Sequence, residues 1–335
     1  MEGKSEHVRA SVERRHSNER LDGFLASVLK GMDAFSSISR EKVKKGVLEG
    51  LVSVNGEVEA DPRRKLRFGD IVDSGIPPEQ RTLIPDIGAD PPVLFENDHI
   101  VVIDKPAGMK MHPVSWDELG TVANWIVAKY PEISGVGEDA LRPGIVHRLD
   151  RNTSGIVVIA RSRKSYDALK QIFHDHRIEK TYQALLLGHV PENSGSISFP
   201  LAEKRGTLKR VAVKHPDTFL GDTREAFTRY NLKERFEKYD LIEVMPETGR
   251  THQIRVHFSA VGAPVAGDYL YGGKRMKGSG LPARQLLHAS RLAFDLFGEE
   301  YVFDSPLPDD FSSFLESIDE TKIPGYPGEA SSLGE

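Results

Sequence analysis

The stretch from His147 to Ala160 reads His-Arg-Leu-Asp-Arg-Asn-Thr-Ser-Gly-Ile-Val-Val-Ile-Ala and places a polar loop directly before an apolar run. The run that begins at Gly155 is rich in β-branched residues, which predicts a buried strand. Asp150 therefore lies on a loop beside a rigid element. A carboxylate in that position can act as a nucleophile, a base or a metal ligand, or it can cap the turn by bonding its own backbone. The local pattern leaves these alternatives open.

The N-terminal region shows the spacing of two helices and a hairpin. An apolar stripe at i, i+3, i+4, i+7 and i+8 predicts the first helix, formed by Leu21, Phe24, Leu25, Val28 and Leu29. Ser39 is a typical N-cap for a second helix over Glu41–Glu49, whose exposed face would carry three lysines. Asn55-Gly56 predicts a tight hairpin turn, and residues 65–72 read as a further strand.

This order of elements, from about Glu19 to Gly75, resembles the S4 RNA-binding domain, with Arg20-Leu-Asp22 and Ser39-Arg40 at matching places. The resemblance implies that the basic side chains of the second helix contact phosphates, namely Arg40, Lys42, Lys44 and Lys45. The alternative is a basic helix that merely faces water.

The rest of the chain indicates a second, larger domain. Strand patterns at 99–103, 181–187 and 241–245 and a helix over Ser162–His174 favour an α+β fold on a largely antiparallel sheet. The expected organisation is an N-terminal extension (1–18), the S4-like module (19–75), a linker (76–90), the large domain (91–316) and a mobile acidic tail (317–335).

Composition limits the possible classes of protein. The 335 residues are 39% hydrophobic, without an apolar run long enough for a membrane helix or a secretory signal. The absence of cysteine excludes disulfides, thiolate metal sites and cysteine nucleophiles. We therefore expect a cytoplasmic protein without a membrane partner. The expected oligomeric state is a monomer.

Charge is unevenly distributed. The net charge is −5, yet residues 140–295 hold 26 Lys and Arg against 16 Asp and Glu. Because salt screens charges over about 8–10 Å, a bound polyanion responds to this local excess rather than to the total. The alternative is a solvated face with interspersed acids.

Four further blocks surround Asp150 in a fixed order: Lys105–Gly108, Glu179–Tyr182, Thr248–His257, and Gly267-Asp268 with Tyr271-Gly272. Together with His147–Gly155 they resemble the RluA family of RNA pseudouridine synthases, over roughly Pro91 to Pro308. The resemblance implies a reaction that cleaves the C1′–N1 bond of a uridine, turns the base and rejoins it through C5. Such an isomerisation requires no cofactor and no metal.

The resemblance also implies residue roles. Asp150 would be the catalytic carboxylate, Arg255 would pair with it, and Tyr182 would stack on the uracil. Ile254 would cover the opposite side of the base, although its spacing with Phe258 and Val261 also fits the core face of a helix that starts near Thr251.

The remaining assignments concern the RNA around the target. Arg148 would fill the space left by the extruded base, and His147 would support the loop or contact RNA. Lys105 and Arg151 are candidates for structural support and phosphate contact. His252 and His257 lie five positions apart and cannot easily share a metal ion, and His174 and His176 lack an evident third ligand, so no metal is expected.

The predicted function is an RNA uridine isomerase. Large-subunit ribosomal RNA is the expected substrate, because family members with an appended S4 domain generally act there, and transfer RNA is the alternative. A non-catalytic RNA-binding or ribosome-assembly factor is a rival, as is a hydrolase, which would present two carboxylates around the scissile bond. Residues 202–222 fit the family only loosely, which leaves the target uridine open.

Overall fold

The computed structural model describes residues 7–32, 35, 38–77, 82–204, 207, 209–214, 221–276 and 280–324. The chain divides into two compact units, Met1–Arg81 and Thr82–Glu335. In the described part of the chain, no helix combines the length and the apolar character needed to cross a membrane.

The first unit packs helices on an antiparallel sheet with strand order β1-β4-β2-β3. Its elements are β1 (Val8–Ser11), α1 (Leu21–Lys30), α2 (Arg40–Leu48), β2 (Val52–Val54), β3 (Glu57–Val58) and β4 (Ile71–Ser74). Strand β1, which falls in the stretch expected to be an N-terminal extension, pairs with β4 along its whole length.

Both predicted helices of this unit are confirmed. Helix α1 buries four of the five residues of its predicted stripe, with Val28 only partly covered. The Ser39 hydroxyl accepts a hydrogen bond from the Lys42 N–H at 3.1 Å and so caps α2 as predicted.

The hairpin is also confirmed, because Asn55 and Gly56 adopt φ angles of 55° and 85° between β2 and β3. The strand predicted over residues 65–72 is wrong for most of its length. A turn in which the Asp70 N–H donates to the Arg67 carbonyl interrupts it, with Gly69 at a φ of 88°. Regular pairing therefore begins only at Ile71.

The second unit is built on one large sheet with helices packed against it. Its helices are α3 (Val122–Lys129), α4 (Arg163–His174), α5 (Gln253–Ala260) and α6 (Asp309–Ile318). Its strands are β5 (Val93–Glu96), β6 (Ile100–Lys105), β7 (Ser154–Ala160), β8 (Ile178–Leu187), β9 (Ser194–Ile197), β10 (Leu201–Glu203), β11 (Arg210–Ala212), β12 (Thr223–Arg224), β13 (Thr228–Arg235), β14 (Tyr239–Pro246), β15 (Leu287–Leu296) and β16 (Glu299–Asp304).

The nine-stranded sheet has the order β5-β6-β7-β15-β8-β14-β13-β9, with β16 paired to β15, while β10, β11 and β12 form a small separate sheet. Among the described residues, β7 and β15 run parallel and every other pairing of the large sheet is antiparallel. The predicted α+β class with a largely antiparallel sheet is confirmed for this unit.

Strand β7 anchors the loop that precedes it. All seven of its residues are buried, as the apolar run predicted. Gly155 has a φ of 116°, and a Cβ built there would lie 2.3 Å from the Ala289 carbonyl oxygen of β15. Only glycine allows this close approach, which holds the start of β7 against β15.

Two expected segments at the unit ends are partly described. Residues 317–324 of the expected mobile tail contain the end of α6 and a short 3-10 turn, and Lys322 forms a bridge with Phe236. The remainder of that tail lies outside the described residues, as do residues 215–220 of the loosely matching segment.

Candidate active site

The loop that carries Asp150 is held by buried contacts on both sides. The His147 Nε2 accepts a hydrogen bond from the Val158 N–H at 3.0 Å, and its ring stacks on Phe173 with centroids 4.6 Å apart. The Thr153 N–H donates to the Asp150 carbonyl at 3.0 Å. Burial, helped by nearby Lys180, lowers the pKa of His147 to about 3. The imidazole is therefore neutral at pH 7, and His147 supports the loop.

Lys105 is fully buried and supports the same loop through hydrogen bonds of its side chain. Its Nζ donates to the carbonyl oxygens of Pro106, Met109 and Arg151 at 2.9, 3.0 and 3.2 Å. Burial lowers the pKa of Lys105 to about 7, although Asp150 opposes this shift. The ammonium of Lys105 is enclosed by these backbone carbonyls, an arrangement that fits structural support of the loop, and its predicted contact with substrate stays a prediction.

Arg151 fastens the loop on its outer side. Its Nε donates to the Gly108 carbonyl at 2.9 Å, while its side chain remains exposed. The backbone of Arg151 also accepts the Gly108 N–H at 2.8 Å. The Lys105–Gly108 block and the Asp150 loop thus form one hydrogen-bonded unit.

Arg255 links Asp150 to a second, fully buried carboxylate. Its Nη1 donates to Asp150 Oδ2 at 2.8 Å, so the predicted pairing is present although the two residues lie 105 positions apart. Its Nε and Nη2 donate to Asp268 Oδ2 and Oδ1 at 2.7 and 3.0 Å. Burial alone would lower the pKa of the guanidinium, but Asp268 and then Asp150 raise it well above its usual range.

Sequence reasoning did not assign a role to Asp268, although it belonged to one of the motif blocks. Its Oδ1 also accepts the N–H groups of Leu270 and Tyr271, both at 3.1 Å. The preceding Gly267 has a φ of 76°, and a Cβ there would lie 1.8 Å from the Arg284 carbonyl oxygen. The Gly267-Asp268 pair was the sequence signal for this residue. Backbone N–H groups hold the Asp268 carboxylate, and the carboxylate in turn orients Arg255.

His252 is a second site residue without a predicted role in the reaction. It immediately precedes α5 in the left-handed region, with a φ of 60°, and its Nε2 lies 3.7 Å from Asp150 Oδ1. Its Nδ1 lies 2.7 Å from the Tyr271 hydroxyl. Burial lowers the pKa of His252, while Asp150 opposes the shift. His257 bonds Thr228 and Phe199 instead, so the two histidines do not converge.

Asp150, Arg255 and Tyr182 line one cavity of about 640 Å³, together with Arg148 and Ile254. Tyr182 projects from β8, and burial, with a smaller effect of Asp150, raises the pKa of its hydroxyl above the usual range, so the phenol is neutral at pH 7. Ile254 is 6% exposed. It both packs in the hydrophobic core and borders the cavity, while its predicted contact with the base stays a prediction.

Arg148 lies two positions before Asp150, also lines the cavity and has an exposed side chain. Within the described ranges, no hydrogen bond or ion pair holds its guanidinium. Arg148 thus differs from Arg255, whose guanidinium donates hydrogen bonds to Asp150 and Asp268 within the protein.

Known proteins resemble this chain over nearly its whole length. Residues 99–260 match the family model for RNA pseudouridylate synthases. A protein from Aquifex aeolicus described as an uncharacterized RNA pseudouridine synthase is 38% identical, with coverage of 90% of this chain and 94% of the relative. A Vibrio parahaemolyticus protein named ribosomal large subunit pseudouridine synthase D is 34% identical, with coverage of 93% and 94%. The chain belongs to the RluA family of RNA pseudouridine synthases.

The fold of this pseudouridine synthase agrees with that of a solved relative. The structure of human RNA Pseudouridylate Synthase Domain Containing 1 superposes with a TM-score of 0.56 at 25% identity, covering 73% of this chain and 91% of that one. The protein is therefore an isomerase that converts uridine to pseudouridine in RNA, which rules out the non-catalytic factor and the hydrolase as its class.

The basic residues predicted to contact RNA in the first unit are partly paired within that unit. Arg40 donates to Asp22 at 2.7 Å, Lys44 to Glu41 at 3.0 Å, and Lys45 lies 3.7 Å from Glu49. Lys42 has a half-buried side chain. The pairs made by Lys44 and Lys45 are exposed and contribute little to stability, so phosphates can replace their acidic partners, whereas the Asp22 carboxylate that pairs with Arg40 is buried.

The largely buried imidazole of His147 makes the stability of the synthase depend on pH. Because its pKa is about 3 in the folded protein and ordinarily about 6.5, the unfolded chain takes up the proton first as the pH falls. This group therefore contributes stability that is lost as the pH falls from about 6.5 towards 3. The loss from one such group is about 1.4 kcal/mol per pH unit.

We expect His147→Gln to reduce this acid sensitivity by about that slope, since Gln keeps an acceptor for the Val158 N–H but does not titrate. Urea unfolding at pH 7, 5.5 and 4.5 measures the effect. His174→Gln, at an exposed position of α4, is the matched control. An unchanged acid slope in His147→Gln would contradict the assignment of His147 as a buried neutral support.

Proposed function

We propose that this synthase modifies uridine in large-subunit ribosomal RNA, with Asp150 as the catalytic carboxylate. The Vibrio relative and a 34% identical relative from Zymomonas mobilis both carry a name that specifies the large ribosomal subunit. The observation that supports the catalytic role is the geometry of Asp150: one carboxylate oxygen is held by Arg255, and the other faces the cavity without a direct hydrogen bond from a described residue.

In this proposal Asp150 acts at the ribose of the target while Arg255 keeps the carboxylate aimed. Tyr182 provides a ring for the uracil and a neutral hydroxyl near C5, where a proton must leave. Ile254 borders the other side of the base. The cavity of about 640 Å³ is large enough to hold a detached uracil while it turns.

Arg148 has a different proposed role, outside the chemical step. A base that is stacked in folded RNA must be extruded before it can reach Asp150, at a cost of a few kcal/mol. The exposed guanidinium of Arg148 at the same cavity can occupy the vacated space in the RNA. The excess of Lys and Arg over Asp and Glu in residues 140–295 favours binding of the flanking phosphates.

Mapping pseudouridines across total RNA from cells with and without the gene tests the proposed substrate. We expect one or more large-subunit ribosomal sites to revert to uridine in the deletion strain and to return when the gene is restored. The matched control is restoration with the Asp150→Asn variant, which should leave those sites unmodified. Loss confined to transfer RNA would instead establish the alternative substrate.

We also propose that the first unit is an S4-like RNA-binding module that uses the exposed face of α2. Each phosphate contact contributes a slope of about −0.7 to −0.9 to the plot of log K against log salt. We therefore expect Lys42→Gln/Lys45→Gln to reduce the magnitude of this slope by about 1.5. Lys30→Gln/Lys65→Gln removes the same charge from the same unit and should leave the slope unchanged. Equal slopes for both double variants would refute the contact.

The cytoplasmic location and the monomeric state stay predictions. Neither affects the assignments above.

A further inference from the structure

The second carboxylate oxygen of Asp150 faces a gap. Arg255 holds Oδ2, whereas Oδ1 lies 3.7 Å from His252 Nε2, which is too far for a direct hydrogen bond. Both side chains line the cavity and both are largely covered, with 16% and 19% of their surfaces exposed. An oxygen about 2.8 Å from each atom would lie to one side of the line that joins them, in the cavity that both side chains line.

The tautomer of His252 follows from its other contact. The Tyr271 hydroxyl accepts the Arg210 N–H at 3.0 Å and lies 2.7 Å from His252 Nδ1. Within the part of the chain that the structure describes, Nδ1 is the acceptor available to the hydroxyl hydrogen. When the hydroxyl donates to Nδ1, its hydrogen has a partner among the described residues, and the ring hydrogen then resides on Nε2. The gap is thus bounded by a donor, the Nε2–H, and by an acceptor, Asp150 Oδ1.

Few groups of a nucleotide can bridge a donor and an acceptor. Phosphate oxygens, the uracil carbonyls and the ring oxygen of the ribose only accept, and the uracil N3–H only donates. A hydroxyl does both. Within an RNA strand the 3′ and 5′ oxygens are esterified, so the 2′-hydroxyl is the group of the target nucleotide that matches the gap.

We infer that His252 Nε2–H and Asp150 Oδ1 together bind the 2′-hydroxyl of the target uridine, and that His252 is a residue by which the enzyme selects ribose over deoxyribose. Tyr271 acts through His252 as a positioning residue that fixes the donor. The inference rests on the proposed placement of the target ribose at Asp150.

Two substitutions at position 252 separate this role from a structural one. Asn tolerates the left-handed backbone and places its amide oxygen near the Nδ1 position, so His252→Asn keeps a partner for Tyr271 but lacks the donor at Nε2. Gln is longer by one atom and places an amide N–H near the Nε2 position, so His252→Gln keeps the donor towards the gap. Circular dichroism and thermal unfolding confirm that each variant is folded.

Each protein is assayed under single turnover on two substrates, an RNA and the same RNA with one 2′-deoxyuridine at the target. We expect the unmodified enzyme to lose about tenfold in rate on the deoxy substrate, the effect of one hydrogen bond in a buried polar site. His252→Asn should be about tenfold slower on the RNA, and its further loss on the deoxy substrate should be much smaller than that of the unmodified enzyme, because only the Asp150 contact to the 2′-hydroxyl remains. His252→Gln should retain most of the discrimination between the two substrates.

The inference is overturned if His252→Asn loses as large a factor in rate on the deoxy substrate as the unmodified enzyme does. It is also overturned if both variants lose the discrimination between the two substrates equally. If no protein converts the deoxy substrate, the same cycle is measured as equilibrium dissociation constants of the two product RNAs. Equal affinities for these RNAs in the unmodified enzyme would likewise overturn it. Failure of the proposed catalytic site is distinguishable, because Asp150→Asn would then still convert the all-ribose RNA.

Discussion

Asp150→Asn is expected to lower the rate of pseudouridine formation by about 10⁴-fold or more, the scale seen when an enzyme loses its nucleophile or base. Asn has almost the same shape and can still accept the hydrogen bond from Arg255 Nη1. It cannot attack the sugar or remove a proton. The cavity and its basic surroundings are otherwise unchanged, so the dissociation constant for substrate RNA should remain within about threefold of the original.

Single-turnover conversion of a ribosomal RNA fragment and a filter-binding titration measure these two quantities. Asp167→Asn, on the exposed surface of α4, removes the same charge away from the cavity and should alter neither quantity. Retention of more than about one per cent of the activity in Asp150→Asn would remove this carboxylate from the mechanism.

Arg255→Met is expected to reduce both stability and activity. It leaves Asp268, whose side chain is 1% exposed, and Asp150 without their shared cation. Removal of one partner from a buried ion pair costs about 3–5 kcal/mol of folding free energy. The carboxylate of Asp150 also loses the group that orients it, so we expect the rate to fall by a factor on the order of 10³.

The double variant Arg255→Met/Asp268→Asn separates the two effects. The amide introduced at position 268 would still accept hydrogen bonds from the backbone N–H groups of Leu270 and Tyr271, but it would bring no buried charge. Chemical denaturation should therefore show partial recovery of stability, while the single-turnover rate stays low. Recovery of activity together with stability would mean that Arg255 contributes only to folding.

Local patterns predicted the parts of the structure that depend on neighbouring residues. Strand β7, helix α4 and the Asn55-Gly56 hairpin each follow from a short period or a turn dipeptide, which the sequence displays directly. The strand predicted over residues 65–72 failed because one turn at Gly69 outweighed an apolar alternation. Turn geometry of this kind depends on a few torsion angles rather than on a period.

In the site too, features carried by local motifs were predicted, whereas features that depend on tertiary structure were not. The motif blocks placed Asp150, Tyr182 and Arg255 together, and the structure brings all three to one cavity. The environment of the Lys105 ammonium could not be predicted from the sequence. A lysine at the end of an apolar strand can point either to solvent or towards buried backbone carbonyl oxygens. The relation between His252 and Asp150 depends equally on tertiary placement and on one left-handed residue.

The anchorage of the Asp150 loop has a consequence for how a substrate is recognised. Buried Lys105, the ring of His147 and the close packing of Gly155 on Ala289 fix the loop from three directions before any nucleotide arrives. A loop fixed in this way has little freedom to change conformation on binding. The RNA must therefore change its own conformation to place the uridine at Asp150. Uridines in weakly paired or already distorted RNA helices should then be converted fastest, so the local deformability of the RNA contributes to target selection.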